Sequence, residues 1–524
     1  MKFNVIVKTA SSLTLELNNQ EVVNHSSHYD VYLDGKLVLP SEEKNVVSLY
    51  NLKPDTTYEI KLISETGAKA TKLIKTNYES VCLNVKRFNA KGNGKTDDTQ
   101  AIQAAIMSCP KDGRVLIPRG TYLVKTIFLK SHMTLELQKG AKLQYIGSFL
   151  QGAILPGYTT RPDGDEYYLG SWEGNPLDSY TALIQGIQIE NVQIIGEGIL
   201  DGNGSKWWSD PKIKKGAWRP RLFQIIYSKN VTVQGVTFQN SPSWTIHPLF
   251  SQDLTFADLK IINPKDSPNT DGLDPESCEN VLIVGVYFSV GDDCIAIKSG
   301  KIYLGSRLKK PSKAITIRNC SMNFGHGAVV IGSEMAGGAK DIRVTQCLFN
   351  ETDRGLRIKT RRGRGKDAIV ENIHFKNIKM QKVLTPFVVN CFYFCDPDGH
   401  SEYVKTKEKL PIDERTPVMG DFFFENIQCL DSEVAAGFFY GLPEQPIEKV
   451  TLKNCYFSFS PEAQPGHPAM MDDIPTYCKS GMIFNHIVKL RLENVRFAEV
   501  DGEKVILNEI QKVVMEDVNT ENGC

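Results

Sequence analysis

An all-β chain is the fold class this sequence predicts: a long β-solenoid preceded by a small β-sandwich. From about residue 113 onward one phrase recurs, two or three β-branched residues, a polar turn containing Asn, then an aromatic. Its copies are separated by solenoid-like periods: Val281 to Ile315 is 34 residues and Ile315 to Ile342 is 27. Helical periodicity is almost absent there, and residues 1 to 78 carry a different rhythm of short alternating runs.

In the front unit the strand-like runs are Asn4–Val7, Leu13–Leu17, His28–Leu33, Val46–Leu49, Tyr58–Ile63 and Ala70–Lys75, divided by turn signals such as Asp34-Gly35. Leu52-Lys53-Pro54-Asp55-Thr56-Thr57-Tyr58 resembles the corner of fibronectin type III domains. The resemblance implies that the Tyr58 hydroxyl bonds nearby backbone. Such a unit would serve as a spacer, a packing partner or a wall of the substrate site.

A linker and first strand follow at 79–88, then Gly92-Asn93-Gly94, which lacks the third glycine of a dinucleotide fingerprint. Thr96 or Asp97 is suited to cap a short helix whose Ala101, Ile102, Ala105 and Ile106 share one face. That helix reads as a cap over the open end of the stacked repeats. The boundaries are therefore 1–78 for the sandwich and 79–524 for the solenoid.

The repeat copies include Asn191–Gly196, Asn230–Phe238, Asn280–Phe288, Ile315–Cys320, Ile342–Phe349, Val450–Phe457 and Val488–Glu493. Cys320, Cys347 and Cys455 share one phase, which predicts a reduced, inward-facing ladder on neighbouring rungs. Residues of about 146–185 and 384–418 break the period and are expected to form loops.

The composition, 41% hydrophobic and 23% charged, is that of a globular protein. Lys+Arg and Asp+Glu are both 61, which argues against nucleic-acid binding. No run of 18 apolar residues is present, so no membrane span is expected. The N-terminus has no apolar h-region, and the 12 cysteines show no CxxC pair or zinc spacing. A cytoplasmic location is expected, the alternative being a periplasmic or secreted protein whose leader has been removed. No structural metal is expected, and the oligomeric state is left open.

The chemistry concentrates in four segments. Asp271 precedes Asp292 by 21 residues, His326 follows Asp293 by 33, and Arg357 follows His326 by 31. Each step is about one coil, so the segments are expected on consecutive rungs of one face, roughly 4.8 Å apart. Arg357 and Lys359, two apart on a strand, would point the same way. Clustered carboxyls repel, which lets one keep a proton while another activates water, the division of labour in glycoside hydrolysis. The cations would hold an anionic sugar. Asp274 reads as structural, and Arg361, Arg362, Arg364 and Lys366 as a solvated charge run.

Asn269-Thr270-Asp271, Gly291-Asp292-Asp293, Gly325-His326-Gly327 and Arg357-Ile358-Lys359 resemble, in order, the four signature segments of the polygalacturonases, glycoside hydrolase family 28. The resemblance covers roughly 82–520 and implies a right-handed parallel β-helix that hydrolyses α-1,4-galacturonosyl linkages with inversion and without a metal or other cofactor. Carried over, Asp292 is the general acid, Asp271 and Asp293 hold and activate water, and His326 supports the acid or contacts substrate. Asn269, Arg357 and Lys359 contact a pectic galacturonan, with Tyr393 as a further contact. The front domain, Ser241-Pro242-Ser243-Trp244 and Gly332-Ser333-Glu334-Met335 resemble the bacterial exo-acting branch, whose blocked groove the two period-breaking loops would supply. The alternatives are an endo-acting polygalacturonase, a hydrolase of rhamnogalacturonan or xylogalacturonan, a calcium-dependent lyase, or a non-catalytic carbohydrate-binding solenoid.

Overall fold

The structure, a computed structural model, describes residues 1–148, 152–208 and 217–520. From Cys82 onward the chain winds through three columns of parallel strands, a right-handed β-helix. One column stacks Lys229–Gln234, Gln252–Ala257, Glu279–Val284, Ser312–Arg318 and Ala339–Thr345. The expected repeat phase holds there, with Val281, Ile315 and Ile342 directly in register. A second column carries Tyr287–Val290, Ser321–Phe324 and Leu348–Asn350. A third runs through Ile246–Leu249, Leu273, Ile295–Ile297, Val329–Gly332, Arg354–Lys359 and Thr385–Asn390.

The recurrent Asn has a backbone cause. Asn191, Asn230 and Asn280 have φ of 54°, 52° and 56°, the left-handed region that Asn tolerates best after Gly. At the next corner Asn377, Asn426, Asn454 and Asn494 repeat this, each amide donating to the one before at 2.8 to 3.2 Å. Each coil thus turns at fixed corners, and the β-branched residues between them alternate inward. Ile283, Ile317 and Val344 are fully buried, and truncating either isoleucine to Ala would cost about 2–5 kcal/mol.

Cys320, Cys347 and Cys455 are buried, unbridged and in one inward column. Only the first two are neighbours, because Ile378 and Ile427 stand between Cys347 and Cys455. The helix Thr99–Ser108 buries Ile102, Ala105 and Ile106 against the solenoid end. Its N-cap is Asp98 rather than Thr96 or Asp97: the Asp98 carboxylate accepts from the backbone of Lys91 and Gly92, while Asp97 accepts from Thr99.

The front residues form two antiparallel sheets with their own apolar cluster around Phe3, Leu15, Val31, Ile60 and Leu62. The Tyr58 hydroxyl accepts from the Lys53 backbone N–H at 2.8 Å, the expected corner bond. Asp34 and Gly35 have φ of 49° and 77°, the pair of positive values a two-residue hairpin turn requires. One strand escaped the sequence reading, Lys36–Lys44, a charged edge strand with little apolar alternation. The unit packs on the corner between the first two columns: Glu16 takes a two-point ion pair from Arg318, with the closer contact at 2.6 Å, and Ser12 donates to Gln234. It is therefore a packing partner, not a wall of the site.

Candidate active site

The site is built on the turns that lead from the second column into the third. These turns stack as a ladder: Gly272 N–H donates to Asp293 C=O, Cys294 to Gly327 and Ala328 to Arg354, at 3.0, 2.8 and 2.9 Å. Each rung brings one chemical group to the same edge, Asp271, then Asp292 and Asp293, then His326, as the coil spacing predicts. Gly325 is required at its corner, since its φ is +82° and a Cβ there would lie 2.4 Å from the Asp292 carbonyl oxygen. The following strand carries Arg357 and Lys359 on the same side.

His326 Nδ1 lies 3.1 Å from Asp292 Oδ1. Burial would raise the Asp292 carboxyl, but the hydrogen bond and charge of His326, aided by Lys359, more than reverse this and hold it below the usual carboxylate range. The same bond raises His326 against its own partial burial. The pair therefore favours one proton, resting on the imidazole. Asp293 Oδ2 accepts from Lys359 Nζ at 2.9 Å, and Arg357 stands 3.8 Å from Oδ1. Among the described residues Oδ1 itself has no hydrogen-bond partner. Asp271 is buried and pushed well up, by desolvation first and then by the neighbouring charges of Asp274 and Asp292.

Beneath Asp271 lies Lys298, 96% buried, 3.7 Å from Asp271, 3.5 Å from Asp274 and 3.6 Å from Glu334. Its ammonium also sits 4.3 Å from the centre of the Trp244 ring. Burial alone would lower this amine, yet the three carboxyls hold it well above its ordinary value, so it stays charged. Asp274 is fully buried, is raised to about 7 by desolvation against the pull of Lys298, and does not line the cavity. Lys298 and Trp244 were not singled out from the sequence as site residues. Lys298 closes the Asp292–Lys298 run, but nothing in that run announces that its side chain turns inward beneath the acids.

All eight expected residues, Asn269, Asp271, Asp292, Asp293, His326, Arg357, Lys359 and Tyr393, line one cavity of about 420 Å³, within the range of small-ligand sites. The Asn269 side-chain Oδ1 accepts from the Arg219 guanidinium at 2.6 Å. Tyr393 is nearly buried, and its ring centre is 6.0 Å from Lys359 Nζ. Trp172 and Glu173 reach the cavity from the insertion at 146–185, of which residues 149–151 lie outside the described residues. The other period break needs correcting. Thr385–Asn390 is a strand of the third column, and the loop begins after it. A third wall went unread: Met470 belongs to a segment held by Arg354, which donates to the carbonyls of His467 and Pro468 at 2.8 and 2.9 Å. Its signal was the Pro- and Gly-rich break at 461–468. A second correction concerns the charge run. Arg361, Arg362 and Arg364 are buried and paired with Asp396 and Asp398, with Glu444, and with Asp396, because these loops fold back over the coil; only Lys366 is solvated.

Donor atoms of Asp292, Asp293 and His326 lie within 4.8 Å of one another, a spacing open to a cation. The positive charge beside Asp293 is already supplied by Lys359 and Arg357, so a metal would have to displace them.

A sequence profile for glycosyl hydrolases family 28 matches residues 112–408. A probable polygalacturonase of Vitis vinifera is 30% identical over 387 residues, covering 72% of this chain and 74% of that one. A solved exopolygalacturonase from Thermotoga maritima superposes with a TM-score of 0.64 at 25% identity, over 79% of this chain and 91% of the other. The family 28 exopolygalacturonase of Yersinia enterocolitica superposes with a TM-score of 0.66 at 21% identity over 99% and 98%, a likeness of fold that takes in the front strands.

Proposed function

The chain belongs to glycosyl hydrolase family 28 and is a glycoside hydrolase; from this footing we propose that it hydrolyses α-1,4-galacturonosyl linkages of pectic galacturonan from a chain end, with inversion, releasing galacturonate. The observation that carries the reading is one cavity edge bearing Asp271, Asp292, Asp293, His326, Arg357 and Lys359, with Lys359 bonded to Asp293.

In this mechanism Arg357 and Lys359 bind the substrate carboxylate beside the scissile bond. A water held by Asp271 and Asp293 attacks the anomeric carbon. Asp293 takes the water's proton on its unbonded Oδ1. His326 passes the pair's proton across their 3.1 Å bond to Asp292, which delivers it to the leaving oxygen as the glycosidic C–O bond breaks. Lys298 keeps Asp271 in place from below.

Exo action is supported by the two insertions, which both contribute residues to the cavity wall, and by the exo-acting galacturonan hydrolases to which the chain is similar. The bacterial branch and a fibronectin type III-like front unit, with the boundary at 78/79, belong to the same proposal, supported by the separate apolar core and the Tyr58 corner.

A time course on de-esterified polygalacturonate and trigalacturonate, read by mass spectrometry with Asp292→Asn as control, tests the reading. Galacturonate alone from the earliest point is expected. A ladder of oligomers would mean an open groove, and undiminished activity of Asp292→Asn would remove the acid assignment.

A further inference from the structure

Lys301 stands where the two insertions meet. Its Nζ lies 2.8 Å from Asp396 of the loop after Asn390 and 3.6 Å from Glu173 of the earlier insertion. Its backbone N–H donates to Gly174 C=O at 2.9 Å. The contact is tight: Gly174 has φ +72°, and a Cβ there would lie 2.3 Å from Lys301 N. Glu173, with φ 46°, and Gly174 turn a two-residue hairpin between Ser171–Trp172 and Asn175–Pro176. Lys301, Glu173 and Asp396 all line the cavity.

Both arms of this contact are braced. Asp396 receives Arg364 at 2.6 Å and Arg361 at 3.4 Å in addition to Lys301. Burial would raise its carboxyl, but Arg364 and Lys301 hold it below the usual range, so it remains an anion. Trp172 at the base of the hairpin stacks on Trp244 with ring centres 4.7 Å apart. The guanidinium of Arg221, buried, lies 5.4 Å from the Trp172 ring and 4.6 Å from the Trp244 ring, and it donates to Ser171 C=O. The Lys301–Asp396 pair is 14% and 8% exposed, where a charge pair is screened little. The Glu173 arm, 57% exposed, adds less, so on that side the hairpin depends on the backbone bond to Gly174.

We infer that Lys301 is a specificity-determining residue. It latches the Trp172–Asn175 hairpin to the Asp396 loop, closes one end of the cavity, and thereby restricts cleavage to the terminal sugar of a galacturonan chain. This rests on the exo reading above. No step of the hydrolysis passes through Lys301, which acts by deciding how many sugars fit beyond the scissile bond.

The test is the product distribution from hexagalacturonate for the wild type, Lys301→Met, Lys301→Arg and Asp396→Asn, with thermal unfolding measured on each. Wild type and Lys301→Arg are expected to release galacturonate alone. Lys301→Met and Asp396→Asn are expected to lose that exclusivity and release di- and trigalacturonate from the first time point. If Lys301→Met does not fold, Asp396→Asn decides the matter from the other partner. Galacturonate alone from wild type and folded variants alike overturns the latch and leaves the exo reading standing. A ladder from the wild type overturns both.

Discussion

Lys359 Nζ lies 2.9 Å from Asp293 Oδ2, although the two residues are 66 apart in the chain and two coils apart along the solenoid. In the proposed mechanism that ammonium serves both Asp293, as the water-activating carboxylate, and the carboxylate of the substrate sugar. Arg357 is set back at 3.8 Å and is freer for substrate. The two cations should separate kinetically. Lys359→Met should lower kcat by about 10²–10³, the cost of removing one preorganised electrostatic partner. Arg357→Met should act mainly on KM, raising it about 10- to 100-fold for a lost charge-assisted pair. Steady-state kinetics on trigalacturonate read the split, and equal effects of both variants on KM alone would contradict it.

Replacing Asp292 by Asn keeps the shape and removes the carboxyl that delivers the proton. The expected loss in kcat is about 10²–10⁴, the usual contribution of a positioned general acid, with thermal unfolding little changed because the side chain is 21% exposed.

The Asp292–His326 pair should set the alkaline limb of activity. Because Asp292 raises His326, the pair keeps its donor proton to higher pH than a free histidine would. In His326→Gln the cation is gone and Asp292 must hold the proton alone, as a carboxyl. The alkaline limb of kcat/KM should therefore move to lower pH. A limb that stays in place would show that His326 does not share the proton.

Inversion is read from the first product. Hydrolysis of an α-linkage by direct attack of water yields β-galacturonate before mutarotation, which proton NMR in the first minutes detects. The α-anomer would instead require a covalent intermediate on a carboxylate.

Acid lability should trace in part to a residue away from the chemistry. His247, fully buried 2.9 Å from Glu276, is depressed to about 4, first by desolvation. The unfolded chain then binds more protons than the folded one between pH 6.5 and about 4, so stability falls as pH falls through that window. The full effect is at most about 3 kcal/mol. Melting temperature against pH for wild type and His247→Gln should differ in slope only in this window, and parallel curves would contradict it.

Much of the site was legible before any fold was known, because in a solenoid sequence period becomes spatial adjacency. Asp271, Asp292, Asp293 and His326 recur at about one coil, and the turns that carry them stack directly. Arg357 and Lys359 followed from strand alternation. Cys320, Cys347 and Cys455 share the column their phase predicts, but phase does not count rungs, and two rungs bearing Ile378 and Ile427 lie between Cys347 and Cys455. Arg361, Arg362 and Arg364 were misread because their partners, Asp396, Asp398 and Glu444, come from folded-back loops with no period.

The sequence by itself determined the all-β class, the stacked coils, the corner asparagines and the set of acids and cations on one edge. These follow from local backbone preference and from repetition, and both are written along the chain. Only the tertiary structure decided that Lys298 turns under Asp271, that the segment at Met470 walls the site, and that Lys301 joins two insertions more than 200 residues apart. The last two depend on how aperiodic loops pack across the coil and the first on how a strand end turns inward; in each, direction and burial come from the assembled structure and not from residue spacing.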